Sequence, residues 1–206
     1  MPGLIALAVL LAQPAPVAER LPPVEQCASE AGFEEFRARL KDVVARQDEQ
    51  ALLAMLAEDV EVNFGGDHGP VLFAANWKFD EAGESHVWAE MEEALAQGCA
   101  KSGDYLVAPS FVAQFPAQLD AFETLILPPG AQLRSASGEA SAEKGPMDWD
   151  LARVLDGAGE TWVEVKLVDG RTGFVRWDQT VNPLDYRLVF EKRGETWVIT
   201  AFVAGD

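Results

Sequence analysis

From Phe122 onward this chain is a succession of short apolar runs cut by turn residues, and no other feature limits its possible folds as strongly. The runs at 125–127, 132–135, 151–155, 162–168 and 173–177 are too short for stable helices and rich in residues that favour strands. Asp169-Gly170, between two of them, is the dipeptide of a tight turn, and Asn182-Pro183 ends the series. Two longer runs, 186–192 and 196–203, flank Arg193-Gly194-Glu195. They read as a terminal hairpin with Leu188, Phe190, Val198, Ile199 and Phe202 available for burial.

The first half has a different period. Phe33, Phe36, Leu40, Val43 and Val44 recur at helical spacing, and Asp48 caps a second segment whose Leu52, Leu53 and Leu56 continue an apolar face. Over 59–64 the period changes to two, with Val60, Val62 and Phe64 against Asp59, Glu61 and Asn63, as in a half-buried strand. Helical spacing returns over 71–77 and over 87–97, where Ser85 is the expected cap, Val87, Met91, Ala94 and Leu95 form a stripe, and Gly98 is the stop. Pro109 and Pro116 make 102–119 read as loop and broken helix. The expected fold class is α+β, with a helical, α+β N-terminal region over 28–120 and a β region over 123–206.

Within the β region, Leu133-Arg134-Ser135 on one strand, Val154-Leu155 ending the next, Trp162 opening a third, and Asp169-Gly170-Arg171 leading into Gly173-Phe174-Val175 resemble the ordered landmarks of the bacterial SH3-like domain family. The resemblance implies a small SH3-like β-barrel with a C-terminal β-hairpin, an exposed loop at 137–141, and Trp162 and Phe174 inside the barrel. The helical arm Asp48-Glu49-Gln50-Ala51-Leu52-Leu53-Ala54-Met55-Leu56-Ala57, followed by a strand after Glu58-Asp59-Val60, resembles the opening of the nuclear transport factor 2-like superfamily. A fold alone specifies no activity.

Charge narrows the partners. With 34 acidic against 16 basic residues and a net charge of −18, the chain has no basic cluster to hold a nucleic acid. The apolar run 4–12, followed by Gln13-Pro14-Ala15-Pro16-Val17-Ala18, resembles a secretory leader, so a signal peptide is expected over 1–18. It falls short of the about 20 apolar residues that cross a bilayer. The mature chain is therefore expected to be periplasmic or secreted, without membrane insertion. Cys27 and Cys99, an even pair in an exported chain, suit a disulfide, with two free thiols as the alternative.

Chemistry-bearing motifs are few. Gly65-Gly66-Asp67-His68-Gly69 sets a carboxylate beside an imidazole, so Asp67 and His68 are the candidate acid-base residues, against an ordinary turn in which both cap local backbone groups. His68 and His86 are the only histidines and lie outside short zinc spacing, so no metal is expected. No Gly-x-Gly-x-x-Gly motif calls for a cofactor. Cys99 follows a helix end, where the dipole does not activate a thiolate. Trp149 and Trp177, flanked by Asp148, Asp150 and Asp178, are the candidate ligand-binding aromatics. These features favour an exported, non-enzymatic envelope protein that binds a cell-wall peptide or an envelope protein. The alternative is a small enzyme or ligand-binding protein with its pocket near Asp67, His68 and Trp77.

Overall fold

A computed structural model describes residues 17–79, 85–155 and 159–205, so the expected leader lies outside the described residues as far as residue 16. The first helix forms where the spacing places it, whereas the second ends at Leu53 and Leu56 already opens the first strand, three residues ahead of the expected 59–64. Helix α1 (Phe33–Arg46) buries Phe33, Phe36, Leu40, Val43 and Val44 on one side, and helix α2 (Glu49–Leu53) starts where the Asp48 carboxylate accepts from the Ala51 amide at 3.0 Å. Strand β1 (Leu56–Glu61), helix α3 (Pro70–Asn76) and helix α4 (Val87–Ala96) follow. Ser85 does not cap α4: His86 holds the N-cap position, and the buried Ser85 hydroxyl has no hydrogen-bond partner among the described residues.

Residues 102–119 differ from the loop expected of them. Strands β2 (Ala100–Ser102) and β3 (Tyr105–Ala108) form a hairpin, a cis peptide joins Ala108 to Pro109, and helix α5 (Phe111–Gln114) follows. Pro109 ends the strand rather than preventing it, because Leu106, Val107 and Ala108 precede it and bury against the sheet. The later strands are β4 (Thr124–Leu127), β5 (Gln132–Arg134), β6 (Glu143–Pro146), β7 (Asp150–Val154), β8 (Trp162–Leu167), β9 (Thr172–Arg176), β10 (Arg187–Arg193) and β11 (Thr196–Val203).

The strands make two sheets, and this overturns the expected fold class. One sheet has five strands in the order β1-β11-β10-β3-β2, and the other has six in the order β4-β7-β8-β9-β5-β6. The described residues are thus mostly β, and there is no closed barrel. The six-stranded sheet stays open because the outer edge of β4 is already taken: Ile126 and Val181 exchange both backbone hydrogen bonds at 2.9 Å. At the other end β6 is the solvent-facing sequence Glu143-Lys144-Gly145-Pro146, with no apolar row to fold inward.

The terminal hairpin belongs to the other sheet. Strand β11 pairs with β1 in parallel and β10 pairs with β3, so the six-stranded sheet is an insertion between two neighbouring strands of the first. The hairpin goes there because its apolar residues fit the helices: Phe190 meets Phe33 at 5.2 Å and Phe36 at 5.9 Å, and Trp197 meets Phe33 at 5.1 Å between ring centroids.

Residues 19–26 strap the two sheets together. Leu21 donates to the Trp149 carbonyl at 2.8 Å and Leu151 donates to Glu19 at 2.9 Å. A few residues on, Cys99 donates to Val24 at 3.0 Å and Gln26 to Cys99 at 2.8 Å. Gly98 permits this crossing. Its φ is +75°, and a Cβ there would stand 2.2 Å from the Val24 carbonyl oxygen. Cys27 and Cys99, both fully buried, are joined by a disulfide that pins the strap to the start of β2.

Candidate functional site

Two regions answer to the residues singled out by sequence, and the loop after β1 is the first. Val62 donates to Asp67 at 3.0 Å, Gly69 donates to Val60 at 2.8 Å, and His68 bridges Glu61, so the loop is a tight reversal at the edge of the five-stranded sheet. Its side chains satisfy one another. Asp67 Oδ2 accepts from the Asn63 amide at 2.8 Å, Asn63 Oδ1 accepts from Gly65 N at 2.7 Å, and His68 Nδ1 lies 3.0 Å from the Gly66 carbonyl oxygen. The Asp67 carboxylate therefore does not orient the His68 imidazole. A surface hollow of about 360 Å³ is lined by Asp59, Glu61, Asn63, Phe64, Asp67 and His68. Asp59 there is taken by Arg193, with Nη1 2.5 Å from Oδ1, and the guanidinium holds its carboxyl below the usual aspartate range.

Trp77 does not line this hollow. It is buried, with its ring 5.3 Å from Phe202 and 4.9 Å from Tyr186, and the space under the five-stranded sheet is filled by these aromatics.

The second region is the outer face of the six-stranded sheet. Val163, Val165 and Val175 turn into its core, which sends the alternate residues outward. Trp162 faces Arg176, Glu164 faces Phe174, and Phe174 also faces Arg134 across the ladders. Trp162 and Phe174 are thus half-buried on the outer face, not inside a barrel as the SH3-like resemblance implies. The strand period places them there, because the valines between them are the better fit to a closed apolar interior.

Trp177 follows directly after β9, in a short 3-10 turn. It is 37% exposed, and its indole N–H donates to the Gly159 carbonyl at 3.0 Å, so the ring is held in a fixed pose. Arg176 beside it donates to Asp178 through Nε at 2.8 Å and to Glu139 at 3.0 Å, and it holds the Asp178 carboxyl below its usual range. Trp149 sits elsewhere. It adopts φ +61° and packs, half-buried, on the cluster of Leu21, Phe111, Ile126, Leu151 and Val181 where the two sheets meet. Its backbone carbonyl anchors the strap by accepting from Leu21 N.

The sequence reading missed Trp162, Phe174, Arg134 and Arg176 as a surface group, although the alternation of apolar residues along β8 and β9 held the signal. It could not have found a second cluster, Glu90, Glu93, Gln97 and Asp185, because α4 and the segment before β10 are remote in sequence. The only described group spaced to grip a metal ion is Glu25, Cys27 and Cys99, and its two sulfurs are bonded to each other. Among the described residues no helix is long and apolar enough to cross a membrane.

Comparison with known proteins leaves the chain without a shown family. No protein-family model matches it, and no curated protein matches. A solved chain whose printed name begins Rd1NTF2_05, a designed protein of the nuclear transport factor 2-like kind, is similar at 15% identity, with 84% of this chain and 96% of that chain covered. Its TM-score is 0.31, a likeness too slight to support an argument on fold or function.

Proposed function

We propose that the protein is an exported, non-enzymatic envelope protein that holds a cell-wall peptide or an envelope protein on the outer face of β8 and β9. The observation that carries this reading is the outward, half-buried placement of Trp162 and Phe174 on β8 and β9, with the exposed, hydrogen-bonded ring of Trp177 following directly after β9. Rigid aromatics with charged neighbours give contact area at low entropic cost and favour peptide-like ligands over flexible apolar ones. The net charge of −18 favours a ligand carrying amino groups and disfavours polyanions. Export is supported by the apolar leader, and the disulfide is compatible with an oxidising compartment. The non-enzymatic part rests on Asp67 and His68 bonding to their own loop instead of to each other.

The test is retention of the purified protein on peptidoglycan, with Trp177→Ala and Trp162→Ala compared with the unaltered chain and folding checked by circular dichroism. Loss of retention in both variants is expected. Equal retention of all three proteins would remove this face as the binding surface, no retention by any would remove the wall-binding reading, and capture by a single envelope protein would then define the partner. The hollow beside Phe64 favours a second reading, a small ligand held near Asp67 and His68. His68→Ala that leaves ligand binding or turnover intact would exclude it.

A further inference from the structure

Glu90 in the first turn of α4, Glu93 further along it and Gln97 at its C-cap stand three and four positions apart and so share one face. That face looks across a cavity of about 20 Å³ at Asp185 and Tyr186, with space for one water-sized group. Gln97 is only 8% exposed, and its Nε2 donates at 3.5 Å to both the backbone carbonyl and Oε1 of Glu93. Reversing the amide would set its oxygen against those two acceptors, so Glu93 fixes the orientation. Gln97 Oε1 is then a buried acceptor with no donor among the described residues, a condition that a guest able to donate would relieve.

The surroundings specify the guest. Among the described lining residues none is basic. Burial, then the charges of Glu93 and Asp185, raise Glu90 above the usual glutamate range, and burial raises Asp185, whose Oδ2 accepts from Asn182 N at 3.2 Å. No described lysine or arginine lines the cleft, and His86, outside the lining, offsets the raising of Glu90 only in part. A single metal ion is a poor fit, since these carboxylates do not gather within 4.8 Å of one another. An ammonium nitrogen, which donates at about 2.8 Å in several directions, needs no third carboxylate, because the Gln97 oxygen serves as one of its acceptors. We infer that the cleft between α4 and the segment preceding β10 is a binding site for one primary ammonium group, which donates to Gln97 Oε1 and to the carboxylates of Glu90 and Asp185.

Methylammonium chloride is the probe. In the ¹⁵N-labelled full chain, the Gln97 side-chain amide resonances are expected to shift saturably with methylammonium. At matched ionic strength, tetramethylammonium, which has no N–H, and calcium are expected to give no saturable shift. Glu90→Gln should weaken methylammonium binding about tenfold through loss of a charge-assisted hydrogen bond. Gln97→Leu should abolish it, and if that variant does not fold, Glu90→Gln carries the test. Equal responses to the methylated pair, saturation by calcium alone, or unchanged affinity in Glu90→Gln would each overturn the assignment.

Discussion

Reducing the Cys27–Cys99 disulfide is the perturbation whose size follows most directly from the fold. The bond closes a loop with a sequence separation of 72 residues, and the chain-entropy relation assigns such a loop about 4 kcal/mol at 25 °C. For a protein of this length that corresponds to a fall in Tm of about 9–18 °C. With a urea dependence of about 2 kcal/mol per molar, the midpoint drops by about 2 M. The m-value should rise at the same time, because the reduced unfolded chain exposes surface that the cross-link keeps compact. Both cysteines are fully buried, so reductant is expected to act only as the strap opens, and reduction should accelerate in mild urea. The assay is urea unfolding of the oxidised and reduced protein, followed by tryptophan fluorescence, with the double variant Cys27→Ala, Cys99→Ala as the permanently open form. The backbone bonds from Cys99 to Val24 and from Gln26 to Cys99 do not involve the sulfurs, so the reduced protein is expected to fold with the strap in place. A stability difference below about 1 kcal/mol between the two redox forms would refute the loop-closure reasoning. It would mean that the strap already confines the unfolded chain without the bond.

Three further outcomes are expected. Gly98→Ala combines a left-handed φ with a Cβ placed 2.2 Å from the Val24 carbonyl oxygen, and should cost about 2–4 kcal/mol in urea unfolding; a loss under about 1 kcal/mol would mean that the strap yields freely. Ser110 is fully buried, and its hydroxyl accepts from Val24 N at 3.0 Å and donates to Gln97 O at 3.1 Å. Ser110→Ala should therefore cost about 2–4 kcal/mol, and a neutral result would argue that water replaces the hydroxyl. Burial and neighbouring carboxylates raise Glu90 in the folded state, so folding favours its protonated form, and the stability gained that way is lost as pH rises through the raised value. Glu90→Gln should thus raise Tm at about pH 7 and leave it nearly unchanged at about pH 3, where the carboxyl is protonated in both states; an equal change at both would sink the argument.

Local patterning made most of the elements readable. The period of α1 was plain in Phe33, Phe36, Leu40 and Val44, and the Asp48 cap announced α2, because both depend on contacts within a few residues. Strands β8 and β9 and the terminal hairpin were likewise visible in their alternation and turn residues. The disulfide was legible only as one of two alternatives for a pair of cysteines, since geometry over that separation belongs to the fold. Strand β3 was hidden by Pro109, because so short a segment becomes a strand only when its neighbours, here β10 and β2, supply its hydrogen bonds. For the same reason the hairpin's partner was beyond local reading: Phe190 and Trp197 are equally apolar beside either sheet, and Phe33 and Phe36 decide where they pack. The fate of the site residues was also decided in three dimensions. An isolated Asp67-His68 step promises a catalytic pair until Asn63 and the Gly66 carbonyl claim the two side chains. Sequence by itself determined the periods, caps, turns and charge of this protein, which are set by near neighbours and by composition. Tertiary structure alone decided sheet membership, the open edge at β6, the outward face of Trp162 and Phe174 and the acidic cleft under Gln97, because each depends on which distant segments exclude water together.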